Sequence, residues 1–213
     1  MNTTYTRGKF GRAALGTVAV ALAASLSACT TVTQGTAVAG DRGPCTHVAA
    51  PMLDIPTESA TEPQMRIPQP PGWERSNEFY DVDESVRFSL ANTDLVGEPP
   101  QNAVTVMVES VPDADAQMIF DEFQAGLVEV LDEEGVQGEL TRTAGTLCGL
   151  PSETVTLAGA SPATTLLVVA ESGGDTYLIA VVQTVEPDSP TYRHDAETIL
   201  TGFEVLPQAA TAV

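Results

Sequence analysis

Two strongly apolar segments joined by a glycine-rich link constrain the fold of this chain more than any other feature. Residues 164–170 and 177–184 are rich in leucine, valine and isoleucine, and the link 171–175 contains two adjacent glycines. Apolar segments joined by a link of hairpin length predict two antiparallel neighbouring strands. We expect these strands near the centre of a sheet, where they supply much of the core.

Several further segments have the pattern of strands. Residues 85–90 alternate between polar and apolar side chains, and residues 103–109 place valines at every second position. Residues 138–143 and 152–157 also match strands, and residues 203–206 predict a last short one.

Two segments have the period of helices. In residues 118–131 apolar side chains recur at intervals of three and four, after a cap at Asp113 or Asp115. The second helix begins with Ser189 as its cap and Pro190 at its first position. Together these elements predict an α+β fold, an antiparallel sheet of about six to seven strands with helices packed on its faces.

The N-terminus has the organisation of a bacterial lipoprotein signal. Arg7, Lys9 and Arg12 precede residues 13–25, which carry no charge and end in Leu-Ser-Ala-Cys29. The run is too short for a spanning helix, which needs about 20 apolar residues. We expect cleavage before Cys29 and attachment of lipid to its sulfur, with ordinary secretion as the alternative.

The rest of the chain divides into a tether, one domain and a tail. Residues 29–44 begin with the lipidated cysteine and continue as a short polar tether rich in Thr, Ala and Gly. After the signal peptide 1–28 and this tether, we expect residues 45–207 to form a single domain and residues 208–213 to form a disordered tail.

The cysteines predict one disulfide. With Cys29 carrying the lipid, Cys45 and Cys148 remain as the only possible pair in an oxidising compartment. Two free thiols or a metal site are the alternatives, but His47 and His194 give no ligand spacing with these cysteines. We therefore expect no metal and no cofactor.

The charge of the mature chain restricts its partners. Cleavage removes three of the nine basic residues and leaves six arginines against 29 acidic residues, a formal charge of −23. Such a protein repels phosphate backbones and anionic headgroups, so we expect no nucleic-acid binding. Membrane attachment would come from the acyl chains on Cys29 instead.

No catalytic pattern stands out, and we expect that the protein is not an enzyme. The chain has no nucleophile elbow, no phosphate-binding loop and no zinc-protease motif. His194 has Asp188, Ser189 and Asp195 near it in sequence, but proximity along a helix does not make a triad. We therefore expect no catalytic residues.

Three aromatic residues are the candidates for ligand contact. Trp73, the only tryptophan, is followed by Phe79 and Tyr80, and such side chains can line a lipid or sugar groove. Packing in the core is the favoured alternative, because large aromatics mostly serve burial. The acidic segment 80–84 is read as a solvated loop or as a contact for a basic partner.

Three motifs together resemble the LpqN/LpqT-type lipoproteins of mycobacteria and related bacteria. They are Ile-Pro-Gln-Pro-Pro-Gly-Trp-Glu at 67–74, Gly-Leu-Pro-Ser at 149–152, and His-Asp-Ala-Glu-Thr-Ile-Leu-Thr-Gly-Phe at 194–203. The resemblance spans nearly all of the domain. It implies a PsbP-like fold and an envelope protein without known catalysis, linked in some members to glycolipid trafficking and to lipid exporters.

The sequence therefore predicts a lipid-anchored module on the outer face of the cytoplasmic membrane. We expect a non-catalytic binding or accessory role in cell-envelope biogenesis, with a glycolipid ligand or an envelope lipid-exporter protein as partner. A surface protein that binds other proteins and no small molecule is the alternative. An envelope hydrolase is the third hypothesis.

Overall fold

The computed structural model describes residues 45–76, 84–95, 103–159, 162–184 and 189–209. These residues form ten strands and two helices. In chain order the elements are β1 Met52–Ile55, β2 Gln64–Pro68, β3 Glu74–Arg75, β4 Val86–Ala91, β5 Ala103–Val111, α1 Ala116–Glu133, β6 Gly138–Leu147, β7 Leu150–Gly159, β8 Ala163–Ser172, β9 Asp175–Thr184, α2 Pro190–Gly202 and β10 Glu204–Leu206.

The main sheet has seven antiparallel strands in the order β3-β4-β5-β9-β8-β7-β6. β8 and β9 pair along their whole length through a two-residue turn at Gly173 and Gly174, whose φ angles are +62° and +101°. Positive φ at both positions is the geometry that two-residue hairpins favour, and glycine adopts it without steric cost. The predicted central hairpin is therefore confirmed.

The two faces of the main sheet carry separate cores. On one face α2 and the strands β1, β2 and β10 cover a cluster that includes Phe88, Val106, Ile179 and Ile199. On the other face Ile119 and Phe120 of α1 reach a smaller cluster on β7, β8 and β9. The predicted α+β fold, with helices packed on the faces of an antiparallel sheet, is confirmed.

A second sheet was not predicted from the sequence. β1, β2 and β10 form a three-stranded antiparallel sheet in the order β1-β2-β10. Only β10 matched a predicted strand. β1 and β2 have four and five residues, and β2 ends at a proline, so neither is long enough for its apolar period to stand out.

The helix boundaries follow the predicted caps. Of the two candidates for α1, Asp115 is the N-cap, and its side chain accepts a hydrogen bond from the Gln117 amide. Ser189 caps α2 by accepting from the Tyr192 amide, with Pro190 following. No helix among the described residues combines the length and the apolar character needed to cross a bilayer.

A disulfide ties the start of the domain to the main sheet. Cys45 and Cys148 are bonded, with 4.2 Å between their Cα atoms and a sequence separation of 103. Cys148 and Gly149 form the turn between β6 and β7, with φ angles of +52° and +77°. Cys148 thus occupies a left-handed position that costs a residue with a Cβ about 1 kcal/mol or more.

We expect Cys45→Ser to destabilise the oxidised protein by about 2–4 kcal/mol, because the cross-link no longer restricts the unfolded chain. In that background Cys148→Asn should be more stable than Cys148→Ser, because asparagine tolerates positive φ better. Urea unfolding of the two double variants measures the difference. Equal midpoints would show that the left-handed backbone at position 148 does not discriminate between asparagine and serine.

Candidate functional site

Trp73 lies in the core and not on a groove. Its side chain is 1% exposed, and its Nε1 donates a hydrogen bond to Oδ2 of the buried Asp195 at 3.0 Å. Its ring is tilted against Tyr192, with 5.8 Å between ring centroids. The structure places the tryptophan where the core-packing alternative expected it. Phe79, Tyr80 and Cys29 lie outside the described residues.

The polar groups around His194 serve the folding of α2. Ser189 is the N-cap, Asp195 accepts from the indole of Trp73, and His194 lies on the exposed side of the helix. Asp188 lies outside the described residues. The other three side chains therefore do not meet in one cleft. His47, the second histidine, is exposed, with Nδ1 3.8 Å from a Glu204 carboxylate oxygen.

Three arginines are each held between two carboxylates. Their nearest nitrogen-to-oxygen distances run from 2.7 to 3.4 Å. The groups are Arg66 with Asp54 and Glu204, Arg87 with Glu58 and Glu62, and Arg142 with Asp121 and Glu153. Within the described segments no group of His, Cys, Asp or Glu side chains could hold a metal ion. With these cations already paired with carboxylates, the remaining exposed charge is predominantly negative.

Arg87 holds the loop between β1 and β2 against the end of the main sheet where the β8–β9 turn lies. Its guanidinium and the Glu62 carboxylate are both buried, 3.1 Å apart. Thr61 lies beside them and shares a 2.6 Å hydrogen bond with the Tyr177 hydroxyl. A Cβ on Gly173 would lie 2.7 Å from the Thr61 backbone, so the β8–β9 turn requires glycine there. The contacts of this cluster are structural, since they hold the loop against the sheet.

Arg142 joins α1 to the edge of the main sheet formed by β6 and β7. On β6, its Nε donates to Glu153 of β7 at 2.7 Å, while its terminal nitrogens donate to Asp121 at 2.9 Å and to Gln124, both on α1. The hydrogen bond to Glu153 raises the pKa of Arg142. The hydrogen bond from Arg142 lowers the pKa of Asp121, and the hydrogen bond from Gln117 lowers it further by a smaller amount.

The outer face of α1 is acidic and partly apolar. Only Ile119 and Phe120 of this helix are buried, while Met118 and Val130 are 62% and 55% exposed. The helix contains no basic residue, and its last turn ends in Asp132-Glu133. Negative charge at a helix C-terminus interacts unfavourably with the helix dipole. The last turn of α1 is therefore stabilised neither by its charged side chains nor by deep burial.

Beside α1, β6 forms one edge of the main sheet. Its ten residues pair with β7 over their whole length, and no other described strand pairs with it. All ten of its side chains are exposed or half-buried. We call this strand and the adjoining side of α1 the α1–β6 flank.

The flank was not found from the sequence, although one signal was present. Arg142 is the only basic residue in α1, β6 or β7, and Glu153 is an acidic residue in a strand made mostly of apolar residues and threonines. Opposite charges on neighbouring strands point to an ion pair on one face. The contribution of Asp121 depends on the packing angle of α1, which the pattern does not contain.

No protein-family model matches the sequence, and no curated protein is significantly similar to it. Solved structures are similar in fold. LpqN, which is involved in cell envelope biogenesis of Mycobacterium tuberculosis, has a TM-score of 0.50 at 14% identity, over 74% of this chain and 91% of that one. At this identity the likeness shows the fold alone, and it confirms the fold that the sequence resemblance implied.

Two further structures are less similar. Cyanobacterial PsbP from Synechocystis has a TM-score of 0.49 at 17% identity, covering 76% of this chain and 98% of that one. The Ran-binding protein Mog1p of Saccharomyces cerevisiae has a TM-score of 0.43 at 11% identity, over 75% and 97%.

We expect Asp195→Ala to destabilise the protein by about 1–3 kcal/mol, because it leaves the buried indole N–H of Trp73 without its acceptor. Asp195→Asn keeps an acceptor oxygen and should lose less. Urea unfolding followed by fluorescence of the single tryptophan measures both variants. Equal losses would mean that the hydrogen bond contributes little beyond the carboxylate charge.

We expect Asp121 to stabilise the attachment of α1 only above acidic pH. Its pKa is lowered from the ordinary 3.8, so its contribution is complete above that value and is lost as pH falls through the lowered pKa. Asp121→Asn should therefore lower the thermal midpoint at pH 7, and the difference from the native protein should shrink as pH falls below 3.8 and close once pH is below the lowered pKa.

Asp132→Asn is the matched control for this variant, since it removes an acidic charge from the same helix without touching Arg142. Its thermal midpoint should not fall at pH 7. A fall equal to that of Asp121→Asn would assign the effect to net charge and not to the ion pair.

Proposed function

We propose that this protein is a lipid-anchored, extracytoplasmic, non-catalytic accessory module of the cell envelope that acts by contacting another envelope protein. The observation that carries the proposal is the disulfide between Cys45 and Cys148, because disulfides persist in oxidising compartments outside the cytosol. The signal that ends in Leu-Ser-Ala-Cys29 supports the same location.

The path of the chain is consistent with a tether. Cys45 is fixed to the β6–β7 turn, and the Gln208 carbonyl accepts from the amide of Gly173 in the β8–β9 turn. The register of the strands brings these two turns to the same end of the main sheet. An anchor on Cys29 would hold this end nearest the membrane and leave the sides of the sheet open to partners.

A role in envelope biogenesis rests on likeness of fold and on the sequence motifs. LpqN is involved in cell envelope biogenesis, and the three motifs resemble its family. By this analogy the module assists the handling or export of glycolipids. Because Trp73 is buried, the described residues favour a protein of the export machinery as the partner over a glycolipid held by that side chain.

The second candidate is a surface protein that binds other proteins without any link to lipids. The acidic, partly apolar outer face of α1 supports it as well as the first candidate, since such a face suits a basic protein surface whether or not that protein handles lipids. A hydrolase is the weakest candidate, because Ser189 and Asp195 are engaged in capping α2 and in binding Trp73.

We expect Cys29→Ala to move the protein from the membrane fraction to the soluble fraction, because the acyl chains would be its membrane contact. Fractionation of its own cells, with immunoblotting of both fractions, measures the shift. Val32→Ala in the same N-terminal region is the matched control and should stay with the membrane. Tight membrane association of the Cys29 variant would contradict the anchor.

In cells that lack the protein, the native chain and His194→Ala should restore the glycolipid content of the envelope equally, while Cys29→Ala should not. Quantitative lipid mass spectrometry of the extracted envelope measures this. Loss of rescue by His194→Ala would revive the hydrolase, and an unchanged glycolipid content without the protein would favour the second candidate.

A further inference from the structure

We propose that the α1–β6 flank binds an extended segment of a basic partner protein, which adds to the main sheet as a strand beside β6. The inference deepens the proposed function, since it names the surface and the chemistry by which the module would contact its partner. It rests on the hydrogen-bonding groups of the edge, on the side chains beside it, and on the charge of the whole chain.

The turn geometry fixes which backbone groups of β6 face outward. The two-residue turn at Cys148 and Gly149 closes the pair Leu147–Leu150, so that pair exchanges hydrogen bonds. Bonded and non-bonded pairs then alternate along the ladder. Pro151, which has no N–H, falls at a non-bonded position opposite Thr146, as this alternation requires.

The outward groups therefore belong to the even-numbered residues of β6. They are the backbone N–H and C=O of Leu140, Arg142, Ala144 and Thr146. Within the described residues no strand pairs with them. A partner strand would find donors and acceptors at regular spacing along nearly the full length of β6.

β6 has few of the devices by which edge strands usually avoid further pairing. Such edges are short, bulged, interrupted by proline, or marked by charged side chains. β6 carries two charged residues, Glu139 and Arg142, and the charge of Arg142 is neutralised by Glu153 and Asp121. β6 has ten residues, contains neither proline nor lysine, and pairs with β7 in one continuous register. The opposite edge of the sheet, β3, has only two residues. Among the described residues the two edge strands thus differ, and β6 is the one that offers a long template.

The side of α1 that faces this edge selects the side chains of the added strand. Asp121 and Gln124 contact Arg142, and Val128, one helical turn further on, lies on the same side and is 39% exposed. Leu140 of β6 packs in the cluster beneath α1. Side chains two apart on an added strand would therefore meet an apolar spot and then a carboxylate.

The charge of the chain favours a basic protein over a second copy of this one. Two mature chains would each carry a formal charge of −23, and their association along this edge would bring two acidic α1 helices together. A basic segment gains from the same field, because opposite charge speeds encounter and favours the correct register. Asp121 remains 57% exposed despite its bond to Arg142.

The test uses the full chain, purified with its anchor in detergent. The probe is a ten-residue peptide of alternating valine and lysine with blocked ends. Two control peptides are an alternating valine and glutamate peptide, and a peptide of the probe's composition with valines and lysines in separate blocks. Amide hydrogen exchange is measured residue by residue.

At saturating probe we expect exchange to slow at least tenfold at the amides of Leu140, Arg142, Ala144 and Thr146, and not in β3. Neither control peptide should produce this slowing. Protection elsewhere, or equal protection by the glutamate peptide, would overturn the proposal. Protection without any peptide would show that this chain or a second copy already covers the edge.

Ala144→Pro removes one outward N–H and should weaken the effect of the probe at least tenfold, whereas Ala144→Val keeps the N–H and should leave it unchanged. Thermal midpoints of both variants report whether each is folded. If proline at position 144 unfolds the protein, Thr146→Pro, which removes another outward N–H nearer the end of the strand, takes its place, with Thr146→Val as its control. These readouts do not depend on membrane attachment. If Cys29→Ala stayed with the membrane, the proposed lipid anchor alone would be refuted.

Discussion

The fold depends on β9 being buried on both of its faces. β9 pairs with β5 on one side and β8 on the other, and its alternate side chains enter the two separate cores. A shift of one residue would exchange the two sets of side chains, so the register is fixed by both cores at once. Gln183, near its end, is buried and donates to the Ala196 carbonyl, which ties α2 to the same strand.

This central constraint explains what could be predicted from the sequence. Strands β8 and β9 are apolar on both faces, and the glycines between them fit only a tight turn, so position and pairing followed directly. The caps Asp115 and Ser189 marked the helices because their side chains satisfy amides that a helix leaves open. The pairing of Cys45 with Cys148 followed from compartment and number.

What the sequence did not reveal depends on contacts between distant segments. The sheet of β1, β2 and β10 brings together residues more than a hundred positions apart, and its strands are too short to show a period. Arg142 meets Asp121 only because α1 crosses the sheet at one particular angle. Trp73 could be read as a core or a groove residue until Asp195, on another element, was seen to bind its indole.

The distribution of charge follows from the scarcity of cations. With few arginines in the mature chain, three of them are held between carboxylates, and each neutralises one buried glutamate and one exposed acid. The acids of the outer face of α1 consequently have few cations near them, and the last turn of that helix bears charge that its dipole disfavours.

Such a helix gains stability from any cation that approaches it, and the strand beside it gains from any backbone that completes its ladder. Both gains lie at the α1–β6 flank, the one corner where acidic charge, exposed valine and a long open edge coincide among the described residues. An extended basic segment is the partner that satisfies the charge and the backbone groups together.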